Sequence, residues 1–117
     1  MPIISFKPDD IAWAVQFALE IGVDVIKTPY CDDIIAYAQI VHQTPVPIIA
    51  AGGPKHETIR SALELISDVI KSGAKGATIG RNVWGSKNMI EVIEAFKSVI
   101  HNTKTAHEAI ILAGLSE

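Results

Sequence analysis

Three short apolar runs, Val23–Thr28, Val46–Ala50 and Gly76–Ile79, are separated by segments with apolar residues at helical spacing. This alternation constrains the fold more than any other feature of the chain. A strand that reads apolar at nearly every position is buried on both faces. Strands joined through helices are parallel and connected by right-handed crossovers. Strand centres fall about 23 and 30 residues apart, the length of a βαβ unit. The punctuation agrees. Pro8 suits a first helical position, with Asp9 and Asp10 at the positive end of the dipole; Ile11, Ala14, Val15, Ala18 and Leu19 follow, and Gly22 stops the run. Helices are predicted from about Asp33 to Gln43, His56 to Ser72 and Asn88 to Ile100. A last one is introduced by the capping-box spacing of Thr105 and Glu108. In the Asn88–Ile100 helix, Met89, Val92, Ile93, Phe96 and Ile100 align. A further strand at Ile3–Phe6 would precede the first helix, and Pro47 is awkward inside a central strand. The expected fold is α/β, built from parallel βα units, as an open sheet or as part of a barrel.

At 117 residues the chain is one domain, 1–117. Apolar residues make up 49% and charged residues 20%, a globular balance. A net charge of −3 lacks the basic surplus of a nucleic-acid binder, so no nucleic-acid partner is expected. Glu20, Asp24 and Lys27 break the longest apolar run, and no stretch reaches the ~20 residues of a membrane span. No membrane association or export signal is expected. The single cysteine, Cys31, forms no internal disulfide, which fits a reduced, cytoplasmic setting.

Parallel sheets carry function at the carboxyl ends of their strands. The connections there are Lys27-Thr28-Pro29-Tyr30, Ala51-Gly52-Gly53-Pro54 and Gly80-Arg81-Asn82, all on one rim. Lys27 ends an apolar strand. Buried there, its ammonium form would be disfavoured, its pKa lowered and its amine freed to attack a carbonyl; otherwise it snorkels and pairs with Asp24 or Asp32. Gly52 and Gly53 let backbone N–H groups approach a phosphate, or simply make a tight turn. Gly80 repeats that shape, and Arg81 adds a fork of donors for an oxyanion, or a surface ion pair. His42, His56, His101 and His107 have no metal-ligand spacing and read as surface or capping residues, so no metal and no cofactor is expected. Cys31 reads as a bystander thiol. Trp13 and Phe17 read as packing, as does Trp84, which could also wall a pocket.

The segments Gly22–Tyr30, Pro45–Lys55 and Gly73–Trp84 resemble, in order and spacing, the class I aldolase family. This group holds the archaeal-type fructose-bisphosphate aldolases, the deoxyribose-phosphate aldolase relatives and the autoinducer-2 phosphate thiolase. The resemblance runs from about Ile11 to Ala113. It implies a (β/α)8 barrel of which this chain holds strands six to eight with flanking helices, a half TIM barrel. It also implies that Lys27 forms a Schiff base and that Gly52, Gly53, Gly80 and Arg81 hold substrate phosphate. The implied reaction is aldol cleavage or formation on a phosphorylated keto or aldehyde sugar. Acyl transfer to coenzyme A, or a non-catalytic half-barrel that binds phosphate or self-associates, are the alternatives. A full barrel needs ~250 residues. The family's proton-transfer groups, an aspartate on an early strand and a tyrosine on the fifth, have no counterpart, and neither Tyr30 nor Tyr37 takes that role. The chain is then a truncated reading frame, a half-barrel that assembles as a homo-oligomer, or one piece that needs a complementing N-terminal half.

Overall fold

The computed structural model describes residues 5–52 and 56–115. Helix α1 (Pro8–Ile21) begins with Pro8 and an acidic first turn. It ends at Gly22, whose φ of 90° places its N–H to reach the Ala18 and Leu19 carbonyls; only glycine takes that conformation without strain. Strand β1 (Ile26–Thr28) leads to α2 (Ile34–Gln43), capped by the Asp33 carboxylate, which accepts from the Ile35 and Ala36 N–H groups at 3.1 Å. Then come β2 (Ile48–Ala51), α3 (Ile59–Lys71) under a Thr58 cap, β3 (Gly76–Thr78) and a four-residue helix α4 (Arg81–Trp84). Helices α5 (Met89–Asn102) and α6 (Ala106–Ala113) finish the chain, α6 with the predicted capping box of Thr105 and Glu108. Hydrogen bonds from Thr105 hold the Glu108 carboxyl below its usual range.

The strands form one parallel sheet in the order β1-β2-β3. They are shorter than the apolar runs. Pairing starts only at Ile26 and Ile48, and Pro47 stays outside β2 while its carbonyl accepts the Ile26 N–H. Of the expected Ile3–Phe6 strand, Ser5 and Phe6 are irregular, and Ile3 and Ile4 lie outside the described residues. The α4 turn was not expected; glycines bracket it, Gly80 before and Gly85 after.

Pairing in register puts Ile26, Thr28, Ile48, Ala50 and Ala77 on one sheet face and Lys27, Ile49, Gly76, Ala51 and Thr78 on the other. Helices cover the first face. Ile26, Ile48 and Ala50 pack with Ile11, Val15, Tyr37, Ile40 and Val69, while Ala77 joins a second cluster of α3, α5 and α6 residues around Leu63, Val92, Phe96 and Ile110. Leu65 of α3 touches both clusters. On the second face Lys27 and Thr78 are exposed and Ile49 and Ala51 half-buried.

The result is a slab of 44 × 32 × 23 Å. Its radius of gyration, 14.5 Å, exceeds the ~13.4 Å of a compact domain of this length. Its accessible surface of 7383 Å² exceeds the roughly 6,200 Å² typical of its mass. Several helix residues expected inside are also outside. Trp13 and Phe17 stack on each other at 5.7 Å on the solvent side of α1, Trp13 being 71% exposed. In α5 the buried stripe is Val92, Ala95, Phe96 and Val99, and Met89 and Ile93 are exposed.

Candidate functional site

Lys27 sits mid-strand in β1, with Ile49 beside it on β2. Its neighbours Ile26 and Thr28 are buried, and Lys27 itself is exposed. This corrects the expected burial of the lysine. The reason is the alternation of a strand: a helix layer covers one face only, and Lys27 points to the other. Neither Asp24 nor Asp32 forms an ion pair with it; among the described residues the ion pair present is Arg60–Glu64 on α3, at 2.9 Å.

Behind Lys27, on the helix side, the end of β1 is held firmly. Thr28 Oγ1 and Tyr37 Oη share a buried hydrogen bond of 2.8 Å, and the Tyr30 ring meets Tyr37 edge-on at 5.1 Å. Burial pushes both phenols up, that of Tyr30 to about 12, with nearby acids (Asp68 first) adding to it. Strand alternation turns Thr28 away from Lys27, so the Tyr37 hydroxyl bonded to it lies across the sheet from the lysine. Pro29 and Lys27 border a cavity of about 330 Å³ between β1 and α1, lined by Ile11, Ala14, Val15 and Ala18.

On the rim, Gly52 follows β2 directly. Its N–H donates to the Thr78 carbonyl at 2.7 Å. A Cβ on Gly52 would stand 2.5 Å from that oxygen and 3.1 Å from Ile79 Cα, so the strands meet too closely for any side chain. Gly52 stands three positions beyond Ile49, the neighbour of Lys27, which sets Gly52 roughly 11 Å from the lysine backbone along and across the sheet. Gly53 lies outside the described residues. Gly80 caps α4, and the Trp84 ring lies over it, 2.6 Å from where a Cβ would be. Arg81 opens α4 and is exposed.

The third member of that motif has a role that local patterning did not reveal. Asn82 is buried, and its Oδ1 accepts the His56 N–H at 2.8 Å. His56, read as a surface or capping residue, is half-buried, with Nδ1 3.0 Å from Ser61 Oγ. His42, His101 and His107 are exposed. Among the described residues no group of three or more histidine, cysteine or acidic side chains could hold a metal ion, and no helix is long and apolar enough to cross a membrane. The Cys31 thiol donates to the Asp33 carbonyl at 3.5 Å, and burial raises its pKa.

Known proteins resemble this chain in sequence and fold. The sequence profile of the DeoC/LacD family aldolases matches residues 4–86. The chain is 38% identical over 96 residues to the 3-hydroxy-5-phosphonooxypentane-2,4-dione thiolase of Salmonella typhimurium, covering 82% of this chain and 32% of the thiolase. It is 31% identical over 104 residues to the class 1 fructose-bisphosphate aldolase of Thermoproteus tenax, covering 88% of this chain and 40% of that enzyme. It superposes with a TM-score of 0.79 and 30% identity on an archaeal fructose-1,6-bisphosphate aldolase whose catalytic lysine carries the carbinolamine intermediate of its substrate; 85% of this chain and 40% of that one are covered. The chain thus spans about two fifths or less of the relatives it matches, and its three strands and flanking helices are part of a TIM-barrel aldolase fold. It belongs to the DeoC/LacD aldolase family.

Proposed function

We propose that this chain carries the lysine and the phosphate anchor of a Schiff-base aldolase acting on a phosphorylated keto or aldehyde sugar. One observation supports this above the others: Lys27 stands on the uncovered sheet face, on the same rim as Gly52 and the Gly80–Arg81 turn. The neutral Lys27 amine adds to the substrate carbonyl, water leaves, and the resulting iminium accepts the electron pair of the breaking carbon–carbon bond. Gly52, Gly53, Gly80 and Arg81 hold the phosphate. That remote binding energy places the carbonyl against the amine. The proposed setting is cytoplasmic. The proposed assembly is a homo-oligomer or a complex with a complementing half, because the surface exceeds the compact-domain value by about 1,200 Å², more than the ~800 Å² each partner buries in a standard interface.

Acyl transfer to coenzyme A is the second reading, favoured by the 38% identity to the Salmonella thiolase. Product analysis with and without coenzyme A separates the two. Borohydride reduction in the presence of a keto sugar phosphate should trap an adduct in the parent and none in Lys27→Arg. Equal trapping in both would leave a non-catalytic half-barrel as the better description.

A further inference from the structure

The connection from β2 to α3 is tied to the third βα unit at both of its ends. At one end the Gly52 N–H donates to the Thr78 carbonyl at 2.7 Å. At the other the His56 N–H donates to Asn82 Oδ1 at 2.8 Å, a contact between residues 26 apart in sequence. The second tie continues into α3. His56 Nδ1 lies 3.0 Å from Ser61 Oγ, the Ser61 N–H donates to Thr58 Oγ1 at 3.1 Å, and the Ser61 hydroxyl donates to the Thr58 carbonyl at 3.2 Å. Asn82 is only 8% exposed, so water is a poor substitute for its oxygen.

We infer that Asn82 is a positioning residue for the phosphate site: it holds the start of α3 against the Gly80–Arg81 turn, so that groups from both connections meet one anion. This rests on the phosphate reading above. The physical gain is preorganisation. With the tie in place the start of α3 and the Gly80–Arg81 turn are held together before the anion arrives; without it, the ordering cost falls on binding.

The test measures two quantities in the whole chain, the affinity for inorganic phosphate by calorimetry and the hydrogen-exchange protection of the His56 amide. Asn82→Leu keeps the branching of the side chain and removes the acceptor. It should abolish His56 protection and weaken phosphate binding about tenfold, as expected when the ordering cost falls on binding. Asn82→Asp restores an acceptor and should restore the protection. Should the leucine variant fail to fold, Asn82→Ala removes the acceptor without adding bulk, with the same outcome expected. Unchanged phosphate affinity in the variant lacking the acceptor, alongside weakened affinity in Arg81→Ala, overturns the positioning role and leaves the phosphate reading standing. No phosphate binding to the parent, or no effect of Arg81→Ala, overturns the phosphate reading and this inference with it.

Discussion

Two glycines on the same rim should respond very differently to one added methyl group. In Gly52→Ala the new Cβ would meet the Thr78 carbonyl oxygen at 2.5 Å and Ile79 Cα at 3.1 Å, where ordinary contact begins at 3.4 Å. Both obstacles are backbone of the adjoining strand, so relief requires β2 and β3 to separate at their ends. Such overpacking costs about 1–3 kcal/mol. The separation also weakens the Gly52 N–H bond to Thr78, worth a further ~0.5–1.5 kcal/mol. Reduced freedom of the unfolded chain returns about 0.4–1 kcal/mol. Gly52→Ala should therefore destabilise by roughly 1–4 kcal/mol. Gly80→Ala meets an even closer set of atoms by number, the Trp84 ring at 2.6 to 3.1 Å. That ring belongs to a side chain 71% exposed and free to turn. An off-rotamer side chain costs about 0.5–1.5 kcal/mol, which the unfolded-state term largely offsets. Urea unfolding followed by circular dichroism, at one fixed protein concentration, reads both variants. A Gly80→Ala as destabilised as Gly52→Ala, or a neutral Gly52→Ala, would refute the reasoning that backbone and flexible obstacles differ.

Three further outcomes are expected. The raised Tyr30 pKa means that the folded state holds the phenolic proton more tightly than the unfolded state; this stabilisation is complete below pH 10 and is lost as pH rises toward about 12, so resistance to unfolding should weaken over that window in the parent and less so in Tyr30→Phe. Tyr37→Phe leaves the buried Thr28 hydroxyl without its partner and should cost about 1–3 kcal/mol, while adding Thr28→Val should cost less than the sum of the two single changes; strict additivity in a denaturation cycle would count against the bond. The exposed second sheet face and, among the described residues, the unpaired edge of β1 predict association, so light scattering at low micromolar concentration should give a mass above one chain, and a single-chain mass with a sharp thermal transition would contradict it.

The alternating order of elements, the helix starts marked by Pro8 and Thr105 and the parallel sheet follow from local patterning, because helix-start signals and periodicity are local physics. The exposure of Lys27 has a cause that is not local. A near-continuous apolar run implies cover on both faces, and here helices cover one, so Ile26 and Thr28 are inside while Val25 and Lys27 are outside. The same reasoning accounts for Trp13 and Phe17, whose spacing fits a helix face but does not say which face meets the core. The bond from His56 to Asn82 joins two segments distant in the chain, and no periodicity encodes it. The bracketing of α4 by Gly80 and Gly85 was a visible signal for a short helical turn that the loop reading passed over.

The most direct measurement of the central claim is quantitative mass spectrometry of every lysine after borohydride treatment with a carbonyl phosphate. Since Lys27 is exposed like Lys71, Lys75, Lys87 and Lys97, exposure alone gives it no advantage. The proposed phosphate anchor on the rim is what would single it out. The account predicts one dominant adduct, on Lys27, suppressed by excess inorganic phosphate and reduced in Arg81→Ala. Labelling spread evenly over the lysines, or a Lys27 adduct indifferent to phosphate, would contradict it.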